Sequence, residues 1–100
     1  MAEEPSADER NAFLFQHLVA MFETLALQQL GKLVNPITGN AEPDLRQAHI
    51  TIDMLEMIRE KTAGNLAPDE QRLLDAVLAE LHVNYVDESR RAKDTRGDNS

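Results

Sequence analysis

Three histidines and two carboxylates are the side chains of this chain best suited to chemistry. His17, His49 and His82 each fall in a different apolar-periodic stretch, and Asp53 and Glu56 follow His49. Asp53 comes one helical turn after His49, so the two share a face and can set an imidazole beside a carboxylate as metal ligands. Histidines converging from three helices make a site, and His17, His49 and Asp53 are the candidate metal ligands. The marks of such sites in helical proteins, Glu-x-x-His pairs and His-Glu-x-x-His, are absent from the chain. Each histidine also sits at the edge of an apolar arc, where a partly exposed histidine is common. Acid–base work needs a carboxylate with a shifted pKa in a pocket, and Asp53 and Glu56 are the candidates because they lie among apolar neighbours. A solvated face or an inter-helix ion pair is the simpler account of both. There is no cysteine, and Ser6, Ser89 and Ser100 fall in stretches expected to be tails. No glycine-rich loop has phosphate-cradling spacing. No catalytic residue and no cofactor is assigned, and the chain reads as non-enzymatic.

These residues sit on a short, acidic scaffold. One hundred residues suggest one small domain, and the formal net charge of −8 disfavours phosphate backbones and anionic lipid surfaces. The stretch Asn11 to Leu30 is long enough for a membrane span, but it carries Gln16, His17, Glu23, Thr24, Gln28 and Gln29. An interfacial helix wants Lys or Arg on its polar face, and this one has none there. The start, Met1-Ala2-Glu3-Glu4-Pro5, is acidic where a signal peptide is basic. A cytoplasmic protein with neither a nucleic-acid nor a membrane partner is expected.

The periodicity predicts an all-α, three-helix chain. Residues 1–10 read as a disordered tail, 11–87 as the helical domain and 88–100 as a second disordered tail. Helix one runs from about Asn11 to Leu30 and stops at Gly31. Leu14, Phe15, Leu18, Val19, Met21, Phe22, Leu25, Ala26 and Leu30 occupy an arc wider than the ordinary stripe of a surface helix. Asn35-Pro36-Ile37-Thr38-Gly39 places Asn first, Pro second and Gly in the left-handed position, as in a type I turn with a bulge. Leu33 and Val34 can then pair with Ala41 as a minimal β-hairpin. Helix two starts at Asp44, which with Gln47 makes a capping box, and carries two apolar rows. One holds Leu45, Ala48, Ile52 and Leu55; the other holds Ile50, Met54, Met57 and Ile58. Gly64 supplies a left-handed cap and Pro68 opens helix three. The short connection between them predicts an antiparallel helix two–helix three hairpin.

The residues Ile52-Asp53-Met54-Leu55-Glu56, Lys61-Thr62-Ala63-Gly64-Asn65-Leu66, Leu73-Leu74 and Tyr85-Val86 carry a resemblance. With Leu30-Gly31 and the Asn35-Pro36 turn before Asp44-Leu45, the set resembles the bacterial family of small proteins called domain of unknown function 1844. The resemblance covers roughly Phe13 to Val86 and implies a bacterial, intracellular helical protein. It implies no activity, so no functional residue carries over. One departure is Ala67 at the helix-three cap, where Thr or Ser is expected; an alanine there cannot accept N–H bonds and costs the helix about 1 kcal/mol.

A wide-faced first helix, a two-faced second helix and a short chain point together to self-association. The expected partner is a second copy, as a homodimer, with another protein as a further partner. Phe15, Leu18, Phe22, Leu25, Gln29, Ile50, Met54 and Met57 are the expected interface. Gln29 is the polar residue in that arc, able to specify register, or simply to reach water near the helix end. A chain that buried Phe15, Phe22, Met54 and Met57 wholly within itself would need no twin. The alternatives are the metal site above and a small apolar ligand held between the helices.

Overall fold

The computed structural model describes residues 6–98, with side chains to residue 94, and contains three helices. They are α1 (Ala7–Gln29), α2 (Leu45–Lys61) and α3 (Pro68–Asp98), with no strand among the described residues. The fold is all-α, and each helix packs on the other two.

α1 begins earlier than its apolar pattern. Ser6 has extended backbone and its hydroxyl accepts the Glu9 N–H at 3.1 Å, while its carbonyl accepts from Arg10 at 2.9 Å. Ser6-x-x-Glu9 is the sequence of a capping box, and Asp8 and Glu9 suit the positive end of the helix. Residues 7–10 are therefore a helical turn rather than part of a tail, and Met1–Pro5 lie outside the described residues. At the other end α3 runs on to Asp98, through most of the stretch read as a second tail. From Glu88 to Arg96 the chain has no Gly or Pro, and Glu88 pairs with Arg91 at 3.6 Å and with Lys32 of the connector at 2.6 Å. Polar composition suggested a tail; helix propensity and these pairs carry the helix on.

The end of α1 is closed completely. The last four carbonyls of a helix have no partner within it. Here the Ala26 carbonyl accepts from Leu30 (2.8 Å), Leu27 from Lys32 (2.8 Å), Gln28 from Gly31 (3.0 Å) and Gln29 from Asp44 (2.6 Å). The Lys32 and Gly31 bonds are a Schellman cap, for which Gly31 takes φ +78°. The fourth bond joins the end of α1 to the cap of α2. Asp44 still accepts the Gln47 N–H at 3.2 Å, but its own N–H is committed to Gln29, so only half of the expected capping box forms.

The connector is a closed loop and not the expected mini β-hairpin. Asn35 N–H donates to the Asn40 carbonyl (2.9 Å), Gly39 N–H to the Asn35 carbonyl (2.8 Å), and Ile37 N–H to Asn35 Oδ1 (2.8 Å). Pro36 follows Asn35, and Gly39 is left-handed as expected, with φ +74°. The bonds close 35 to 40 upon itself, and no ladder spreads to Leu33, Val34 or Ala41.

α2 stops at Lys61 and is capped by Thr62, whose hydroxyl donates to the Ile58 carbonyl at 2.7 Å. Gly64, with φ +83°, lies in the turn beyond. Pro68 opens α3, and Glu70 repairs the missing cap at Ala67 by accepting its N–H at 2.8 Å. This is the glutamate half of a capping box without the serine half.

Buried between the helices are Val19, Ala26 and Leu30 of α1, Ala48, Ile52 and Leu55 of α2, and Leu74, Val77, Leu78 and Leu81 of α3. Side-chain pairs fix the directions. Along α2, His49, Glu56 and Arg59 meet Tyr85, His82 and Asp75, so rising numbers on one helix meet falling numbers on the other. α1 and α3 run the same way: Glu23 meets Glu80, and Lys32 just beyond α1 meets Glu88.

A Cβ at Gly31 would stand 3.3 Å from the Pro43 Cβ, whereas one at Gly39 would meet nothing within 4 Å. Both alanine variants bear the left-handed strain of about 1–2 kcal/mol. Gly31→Ala is expected to lose more stability than Gly39→Ala in urea unfolding, because it also pushes the α1–α2 corner apart.

Candidate interaction face

The three candidate metal ligands are not brought to one place. His49 Nδ1 lies 3.0 Å from Asp53 Oδ2, and its ring meets the Tyr85 edge at 5.5 Å. His17 instead stacks on Phe13 of its own helix, with ring centroids 6.2 Å apart. His82 Nε2 is 2.7 Å from Glu56 Oε1, and Glu56 also holds Arg59 at 2.6 Å, which reaches Asp75 at 3.6 Å. Among the described residues no group of three His, Cys, Asp or Glu can hold a metal ion. His49 and His82 lie along the α2–α3 seam, each beside its own carboxylate, while His17 stands on α1 against Phe13, so the three do not converge. Glu56 belongs to an inter-helix ion network.

Among the described residues, the space between the helix ends is polar. A cleft of about 920 Å³ opens there, under the connector, and its walls include Gln28, Asn35, Asp44, Arg46 and Glu88. Such walls suit water better than an alkyl chain.

What stands out is greasy surface. On α1, Leu14, Leu18, Met21 and Leu25 are all exposed, Met21 by 61%. Their spacing of four, three and four residues is that of a coiled-coil seam. The row ends in amides, Asn11 one step before and Gln28 one step after, and carries no charge. On α2, Ile50 and Met57 are exposed by 45% and 46%, with Met54 half-buried between them.

Both rows lie on one face of the α1–α2 layer. Gln29 and Thr51, whose side chains meet at 2.6 Å, mark the sides by which α1 and α2 face each other. Glu23 marks the α3 side of α1, and Glu56 marks the α3 side of α2. At one residue per 100° of turn, each exposed row comes beyond the Gln29 or Thr51 side, away from the α3 side. The shared face is turned away from α3.

The expected interface thus divides. Leu18, Leu25, Ile50 and Met57 are exposed on this face; Phe15 and Phe22 are half-buried against the chain's own core; Gln29 is engaged with Thr51. Leu14 and Met21 belong to the row although they stood outside the expected interface. Their signal was the four-three-four spacing, which the wide apolar arc of α1 concealed.

One carboxylate pair is strained electrostatically. Burial, a hydrogen bond with Glu80 and the Glu80 charge all hold Glu23 above the ordinary glutamate range. No helix among the described residues is long and apolar enough to cross a membrane.

A family model described as domain of unknown function (DUF1844) matches residues 12–88. Neither curated proteins nor solved structures give a match.

The raised Glu23 has a signed consequence. An acid that keeps its proton longer when folded favours the fold below its unfolded pKa, near 4.5, and that contribution is lost as pH rises through the raised value. At neutral pH the Glu23–Glu80 pair therefore works against the fold. Glu23→Gln is expected to raise the melting temperature at pH 7, with the gain shrinking toward pH 4, when unfolding is followed by circular dichroism.

Proposed function

This chain belongs to the DUF1844 family, and for this member we propose a non-enzymatic helical module of the bacterial cytoplasm that self-associates as a homodimer. Its contact surface is the α1 row together with the outward row of α2, backed by the antiparallel α2–α3 hairpin. The observation that carries this reading is the exposed Leu14-Leu18-Met21-Leu25 row.

Size supports it. The exposed apolar residues of the two rows present on the order of 600 Å², at the top of the range of the largest apolar patch on a monomer, where such patches often serve binding. A stable interface buries about 800 Å² per partner, a little over half of it apolar. Charge supports it too. The chain carries −8, yet the row has no ionised side chain, so two copies can meet there without confronting like charges. The same balance disfavours nucleic acid and anionic membranes as partners. Any further protein partner meets the dimer.

Size-exclusion chromatography with light scattering tests the reading. At micromolar concentration the chain is expected at twice its own mass, and Met21→Glu, on an exposed position, at the monomer mass with its helicity kept. A folded wild-type monomer under those conditions refutes self-association.

A further inference from the structure

Resting on that self-association, we infer that the second copy docks antiparallel, α1 across α1, about a two-fold axis perpendicular to the helices between residues 19 and 20. Leu14 then faces the partner's Leu25, Leu18 faces the partner's Met21, and Asn11 faces the partner's Gln28. The row alone does not choose this direction, because a parallel pair also sets apolar against apolar.

The position of α2 chooses it. α2 lies to one side of α1, and its exposed Ile50 and Met57 share the outward face with the row. A two-fold axis running along the helices would throw the two α2 helices to opposite sides of the α1 pair, leaving both apolar rows bare. An axis crossing the helices keeps them on the same side, so Met57 of each copy is covered by the other α2. The four helices then alternate up and down around one core, and every neighbouring pair is antiparallel, the arrangement of an up-down four-helix bundle. Electrostatics favours the same choice. A parallel pair sets the acidic first turn of α1, Asp8 and Glu9, beside its own copy. An antiparallel pair sets each such turn at the far end of the partner and opposes the helix dipoles.

The chain has no cysteine, so introduced thiols report without background. Leu14→Cys and Leu25→Cys, both at exposed positions, are purified with different tags, co-refolded and oxidised. The expected product is a disulfide joining the two variants, with neither variant linking to itself. Leu14→Cys linking to itself overturns the antiparallel direction while leaving self-association standing. A dimeric chain that forms no disulfide in any combination overturns the α1 seam. A monomer in light scattering removes the underlying reading instead. Met57→Glu, also at an exposed position, supplies an independent arm. It should weaken the dimer at least about tenfold, since it places a charge between the two α2 helices; an unchanged dissociation constant overturns the shared α2 contact.

Discussion

Gln29 ties two helices together with one residue. Its carbonyl takes the Asp44 N–H at 2.6 Å and its side chain meets the Thr51 hydroxyl at 2.6 Å, more than one turn further along α2. Thr51 is buried and also lies 3.1 Å from the Gln47 carbonyl. Its single proton is donated to Gln29 Oε1 across the shorter of the two contacts, a length typical of O–H···O bonds, with the Gln47 carbonyl just beyond. The two attachments fix how far α1 is rotated about its own axis against α2. That rotation sends Val19, Ala26 and Leu30 inward and leaves the Leu14 to Leu25 row outside. The bare face is a consequence of the same clamp that closes the core.

Much of this was legible in the sequence. The three apolar periods marked the helices, Gly31 and Pro68 marked a stop and a start, and the excess apolar width of α1 foretold the apolar residues it leaves exposed. Less legible were features in which one local signal stood without its usual companion. Ser6-x-x-Glu9 opens a helix ahead of any apolar residue worth burying, so the charge pattern there resembled a tail. Ala67 looked like a bare helix start, because the compensating Glu70 sits inside the helix it caps. The Asn35 turn suggested a hairpin, since turn letters specify the corner but not whether strands continue from it. At Gln29 the letters left register specification and solvation open; only the packed helices place Thr51 opposite it.

The histidines carry a related lesson. His49 and Asp53 do stand side by side, as one turn of helix requires, yet a pair is not a metal site until a third ligand arrives. Helical spacing predicts neighbours along one helix well and convergence between helices poorly. The rotation of each helix decides the latter, and here it directs His82 to Glu56 and leaves His17 on the Phe13 ring.

The connector has a practical consequence. Its closing bonds all fall between Asn35 and Asn40, and Gly39 faces open space, so the tip is mechanically separate from the corner held by Gly31, Pro43 and Asp44. A peptide tag or a reporter sequence grafted between Ile37 and Thr38 would extend a surface loop without loading the bundle, since lengthening such a loop costs little chain entropy. The protein thus carries its own insertion point in this loop.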